Sequence, residues 1–236
     1  MTTIRTQLNA ERSGATRARL LRHARAVFEK RGYGAASVAD IVTAAGVARG
    51  TFYVHFTSKR EIFIAIVSTV RDDLLEAQMR PIEGSTTVAG AIRNAIEHYL
   101  RAYKSSARML SLIEEISISD KVVRVAWLET RNALLENTTH ALDRLRERGL
   151  AHFEGSSRTM ALTIGGMVER MGANRYVLGY QFDDEEFFSV ITDAYVNAGR
   201  IVGDYQLRPR EDLIGPGPAA APSTNGSPRR RTRAAG

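Results

Sequence analysis

Arg49, Thr51, Tyr53, His55 and Lys59 place hydrogen-bond donors at short intervals along one segment, with Gly50 among them. Guanidinium, ammonium, hydroxyl and imidazole groups are the donors that hold phosphate oxygens, and the forked guanidinium also matches a guanine edge. A glycine lets backbone approach a partner closely. Val38, Ile41 and Val42, with Val47, Phe52 and Phe56, are spaced to lock two short helices across a turn at Gly46. Helix, glycine-containing turn and second short helix make a helix-turn-helix, whose second helix enters the DNA major groove. The DNA-facing set is then Ser37, Arg49, Gly50, Thr51, Tyr53, His55 and Lys59. Arg49 and Thr51 stand where side chains reach base edges. Tyr53, His55 and Lys59 suit phosphates, and Phe52 and Phe56 are core.

Catalytic chemistry finds little support. Cysteine is absent, which removes disulfides, iron–sulfur clusters and thiol nucleophiles. The histidines, His23, His55, His98, His140 and His152, are scattered, and no glycine-rich phosphate loop occurs. Glu114 and Glu115 are adjacent, so on a helix they point about 100° apart and share no target. No enzyme, metal or cofactor is expected.

The chain has 236 residues, 44% apolar and 25% charged, enough for one large domain or two small ones. Its net charge of +7 is uneven: residues 1–60 carry +8, 61–205 carry −5 and 206–236 carry +4. A basic head on a mildly acidic body fits a polyanion-binding module joined to a separate domain. Arg17, Arg19, Arg22 and Arg25 read as a solvated face of the first helix. No apolar run reaches the ~18–20 residues of a membrane helix. Polar residues stand where a signal peptide needs an apolar stretch. A cytoplasmic protein is expected, with no membrane partner.

Helical periodicity runs through the chain with almost no strand alternation, so the fold class is all-α with about nine helices. The expected divisions are a flexible N-terminal arm (1–14), a helix-turn-helix DNA-binding domain (15–62), a helical ligand-binding and dimerisation domain (63–205) and a disordered basic tail (206–236). Gly32 and Gly34 close the first helix, and Ser37 with Asp40 has the spacing of a capping box. Ser58 caps a fourth helix with an apolar face of Ile62, Phe63, Ile66, Val67, Val70 and Leu74, ended by Pro81 and Gly84. Further helices are expected over about 87–103, 107–116, 121–148, 156–178 and 184–202.

Ala44-Ala45-Gly46-Val47, Gly50-Thr51-Phe52-Tyr53-Val54-His55-Phe56 and Ser58-Lys59-Arg60-Glu61, after Gly32-Tyr33-Gly34, resemble the tetracycline-repressor (TetR) family of bacterial transcription regulators. The resemblance covers about residues 17–63. It implies that Arg49 reads a base, Thr51 and His55 sit against phosphates, Tyr53 packs on the DNA and Lys59 grips a phosphate. Family members usually cap the recognition helix with Ser or Thr, where this chain has Ala48. The resemblance also implies a homodimer on a palindromic double-stranded DNA operator, formed by the last two helices. The residues expected there are Ile164, Gly165, Val168, Phe187, Phe188, Ile191 and Tyr195. A small, largely apolar effector would occupy a pocket among Tyr99, Tyr103, Met109, Trp127, Arg131, Met160, Met167, Arg170 and Asn174, where Arg131 or Arg170 meets any anionic group. The function implied is a ligand-released repressor. An activator and a DNA-binding structural protein without ligand control are the alternatives.

Overall fold

A computed structural model of the chain describes residues 2–80 and 84–208, with side chains from residue 11 onward. Among the described residues there are eight helices: α1 (Thr2–Ala35), α2 (Val38–Ala45), α3 (Arg49–His55), α4 (Lys59–Met79), α5 (Val88–Ser119), α6 (Lys121–Glu147), α7 (Ser157–Tyr176) and α8 (Asp184–Ala198). Helical backbone thus covers the stretch expected as a loose arm. At the other end, the Leu207 amide donates to the Thr86 carbonyl at 2.8 Å, so residues 206–208 are docked on the start of α5. The rest of the basic tail and Pro81 lie outside the described residues.

The head, α1 to α3 with the start of α4, is built by local rules. Gly32 leaves helical geometry at φ 77° and kinks the end of α1. Ser37 caps α2: its hydroxyl accepts from the Asp40 amide and donates to the Asp40 carboxylate, which also accepts from the Ser37 amide. Gly46 ends α2 at φ 63°, the left-handed conformation glycine takes most readily. Leu20, Ala24, Phe28, Ile41, Phe52, Phe56, Ile62 and Phe63 meet in the head core. Phe28, Tyr33 and Phe63 form a ring cluster with centroids 4.7–5.7 Å apart.

The body is a stack of long helices. The apolar face expected of α4 is buried in full, from Ile62 to Leu74. α4 packs against α5 and α6, α6 against α7, and α8 mainly against α5. One expected break is missing: the segments 87–103 and 107–116 form the single helix α5. Lys104-Ser105-Ser106 holds no glycine or proline, and the Ser105 hydroxyl donates back to the Ala102 carbonyl within the helix. Where α5 leans on Gly172 of α7, an added Cβ would stand 2.8 Å from Leu100 Cδ2, so close packing requires glycine there.

Head and body meet at more than α4. Arg25 donates to the Ser105 carbonyl at 2.8 Å and the Ser106 hydroxyl at 3.1 Å, and pairs with Glu29 at 2.9 Å. It joins α1 to α5, which corrects its reading as part of a solvated face. Arg108 returns a bond to the Glu29 carbonyl. Arg60, in the first turn of α4, pairs with Asp120 at 2.7 Å, and Asp120 also caps α6 by accepting from the Val122 and Val123 amides.

Candidate nucleic-acid interface and body cavity

α3 turns one side inward and the other outward. Phe52 and the following Phe56 are buried, whereas Arg49, Gly50, Tyr53 and Val54 are exposed and Thr51 and His55 half-buried. The Arg49 guanidinium lies over the Tyr53 ring at 5.8 Å and donates to its hydroxyl at 3.4 Å. These two side chains pre-organise each other on the outward face. A Cβ at Gly50 would meet nothing inside the chain within 4 Å, so no neighbour in the fold demands that glycine. Ala48 makes no side-chain cap at the start of α3, as its residue type dictates.

Two expected contacts change meaning. The Lys59 ammonium donates to the carbonyls of Tyr33, Gly34 and Ala36 at 2.8, 3.4 and 2.8 Å and lies 4.5 Å from the Tyr33 ring centroid. It caps the end of α1 and fastens α4 to it. With three carbonyls taking its three donors, the side chain is not a free phosphate grip, and that reading is corrected. Ser37 stays exposed, but its hydroxyl is engaged in the cap of α2.

Val54 escaped the sequence reading. It is 77% exposed on the same helix face as Gly50, one turn on. An apolar side chain standing in water on this helix fits contact with a thymine methyl group. The four-residue spacing from Gly50 was the signal that could have found it.

Electrostatics tighten the head. Hydrogen bonds from the Ser37 hydroxyl and amide, with Arg31 paired at 2.7 Å, hold the Asp40 carboxyl below its ordinary range. Hydrogen bonds from the Thr57 hydroxyl and amide do the same for Glu61. Arg17 lies over the Phe56 ring at 5.1 Å.

A part-open cavity of about 390 Å³ in the body is lined from α4, α5, α6, α7 and α8. Of the pocket residues expected from sequence, Tyr99 and Arg131 line it. Tyr103, Met109 and Trp127 are buried in the packed core, and Met160 and Met167 pack against it. Arg170 is exposed and Asn174 half-buried away from the cavity lining. The assignment of those seven is corrected: bulky apolar side chains fill a core as readily as they wall a cavity, and Arg170 and Asn174 stand elsewhere on α7. The sequence reading missed Gln78, Ile92, Ile96, Asn137 and Leu162 among others, which gather only when five helices pack.

Arg131 donates to Glu169 at 2.8 Å, and the Tyr99 hydroxyl donates to the other Glu169 oxygen at 3.3 Å. Burial, then the Glu169 charge, push the Tyr99 phenol well above its usual value. Burial, then the charges of Glu114 and Glu169, push the Tyr103 phenol up to about 12.

The residues expected at a dimer face divide. Ile164, Val168, Phe187 and Ile191 are buried in this chain's own core, so they are corrected to core positions. Gly165 and Tyr195 line the cavity, and Phe188 lines a polar cleft with Arg101, Lys104 and Arg175. On the same helices Leu162, at the exposed rim of the cavity, and Val190 are 55% and 56% exposed. Among the described residues no group of three or more His, Asp or Glu is placed to hold a metal, and no helix is long and apolar enough to cross a membrane.

Residues 20–66, the head with its capped helices, match the family described as bacterial regulatory proteins, tetR family. The head of the chain is therefore a tetR-family domain. Its curated relatives are regulators rather than enzymes. It is 31% identical over 133 residues to the HTH-type transcriptional repressor KstR2 of Mycobacterium tuberculosis, covering 51% of this chain and 66% of that one. It is 31% identical over 99 residues to the HTH-type transcriptional activator FasR of Mycolicibacterium smegmatis, covering 42% of this chain and 45% of that one. The chain thus spans about half to two thirds of these relatives' lengths. The tetR fold extends to the body: the fatty acid degradation regulator FadR of Bacillus halodurans superposes with a TM-score of 0.67 at 19% identity, over 79% of this chain and 97% of that one. Salmonella enterica GusR does so with a TM-score of 0.68 at 17% identity, over 79% and 96%.

Proposed function

We propose that the protein is a homodimeric transcriptional repressor that binds a near-palindromic DNA operator through α3 and is released by a small, largely apolar effector held in the body cavity. The observation that carries DNA recognition is the outward face of α3, where Arg49, Gly50, Thr51, Tyr53 and Val54 stand exposed or half-exposed on a helix whose inner face is locked by Phe52. Of the two relatives named, the longer match is to a repressor, which supports repression over activation.

Pairing through α7 and α8 is supported by the exposure of Leu162 and Val190 and by Gly165-Gly166. Each of these glycines costs a helix about 1 kcal/mol relative to alanine. A Cβ at either would meet nothing inside the chain within 4 Å, so no neighbouring side chain in this fold demands them. Release by an effector would act through the ties between body and head. α4 runs from its cap Ser58, beside α3, to Gln78 on the cavity wall, and Arg60–Asp120 links its first turn to α6, which lines the cavity. A coupling of about 1–3 kcal/mol is usual for such linkage.

Selection of bound sequences from a random DNA pool tests the reading. A two-fold site with half-sites about 34–36 Å apart is expected. Binding without sequence preference would favour an architectural DNA-binding protein. Leu162→Glu and Val190→Glu are expected to give folded monomers by light scattering; dimers in both variants would place the interface elsewhere.

A further inference from the structure

The cavity's volume falls in the range of small-molecule sites. Ile92, Ile96, Leu134, Leu135 and Leu162 give it apolar walls. Its interior charges are already matched. Arg131 Nη1 is 2.8 Å from Glu169 Oε2 and 4.0 Å from Glu114 Oε1, so the interior guanidinium faces two carboxylates. The second Glu169 oxygen accepts from Tyr99. A carboxylate ligand reaching Arg131 would stand beside Glu169, which already holds Nη1. Two like charges in a partly desolvated site repel strongly. Arg158, the other lining cation, is exposed, donates to Asn132 at 3.0 Å and is screened by water.

Uncharged groups remain on offer. The Tyr195 hydroxyl has no hydrogen-bond partner among the described residues, and burial raises its pKa, so it stays a neutral donor. Asn137 donates to Gln78 at 3.1 Å, an amide pair with no net charge. We infer that the cavity takes an uncharged, elongated, largely apolar molecule with a hydrogen-bonding oxygen that meets Tyr195, and rejects the carboxylate of equal chain length. This deepens the effector reading above and rests on it.

The test uses the full-length protein with 1-decanol and decanoate near neutral pH, by calorimetry. Trp127, the single tryptophan, serves as a second reporter because its ring lies 5.7 Å from the Arg131 guanidinium. Decanol is expected to bind about tenfold or more tighter than decanoate. Glu169→Gln frees Arg131 and should narrow or reverse that ratio. Tyr195→Phe, which leaves the ion pair alone, should weaken decanol severalfold. Decanoate binding the natural protein as tightly as decanol overturns the inference, whether its head sits at Arg131 or at Arg158, and leaves the effector reading standing. If neither compound binds, the inference and the effector reading fall together, while DNA selection above still judges the DNA-binding reading.

Discussion

In the head, the groups that set up the outward face of α3 are held by bonds spanning three or four residues: Ser37 with Asp40, Thr57 and Ser58 with Glu61, Arg49 with Tyr53. In the body, the cavity is lined by residues as far apart as Gln78 and Tyr195, and its central charges meet across thirty-eight positions, Arg131 with Glu169. The head is therefore a local device that can keep its form while the body changes. The body's binding chemistry depends on how five helices lie against one another, and small changes of side-chain volume re-line it.

The comparison breaks first at Lys59, a head residue whose role depends on carbonyls 23–26 positions away. Lys59→Ala should cost about 3 kcal/mol of unfolding free energy, since charge-assisted hydrogen bonds contribute about 1.5–3 kcal/mol and three carbonyls lose their donor. Urea denaturation measures it. Unchanged stability with weaker DNA binding would restore the phosphate role.

A contrast inside α7 comes next. Gly172→Ala should cost about 2 kcal/mol, because the added methyl presses on Leu100 and Tyr103. Gly165→Ala should raise chain stability by about 1 kcal/mol, having open space around it and better helix propensity. Thermal melts of the two variants should shift in opposite directions; a loss at position 165 would reveal a partner packed against it.

Arg49→Ala should leave the melt unchanged, weaken operator binding by about 1–2 kcal/mol and relax preference at one position of each half-site. Anisotropy titrations on single-base operator variants check it, and equal losses on every sequence would reject base reading.

The smallest effect separates head and body by pH. Asp40 and Glu61 have folded pKa values below their ordinary ones. Their stabilisation is complete above the ordinary carboxylate range, about 4, and is lost as pH falls through the folded values. Glu114 has the opposite sign: burial, then Glu169, raise its pKa, so its cost at neutral pH is relieved as pH falls through the raised value. Hydrogen exchange followed from about pH 6 downward should show head amides losing protection before body amides, and Asp40→Asn should flatten the head's response.

The sequence by itself determined the all-α class, the caps at Ser37 and Ser58, the left-handed Gly46, the buried face of α4 and the helix that presents Arg49. All of these rest on interactions within about one helical turn, or on a 3.6-residue period, both written in neighbouring letters. Only the tertiary structure decided that Ser105 and Ser106 lie within a helix, that Arg25 joins α1 to α5, that Lys59 closes on three carbonyls and that Tyr99, but not Tyr103, lines the cavity. Periodicity identifies a helix face without saying what it faces. On α7, Ile164 and Gly165 are neighbours about 100° apart, one in the core and the other on the cavity wall. An apolar side chain satisfies a core, a cavity wall or an interface with the same chemistry, so the packing of helices distant in sequence had to choose among them.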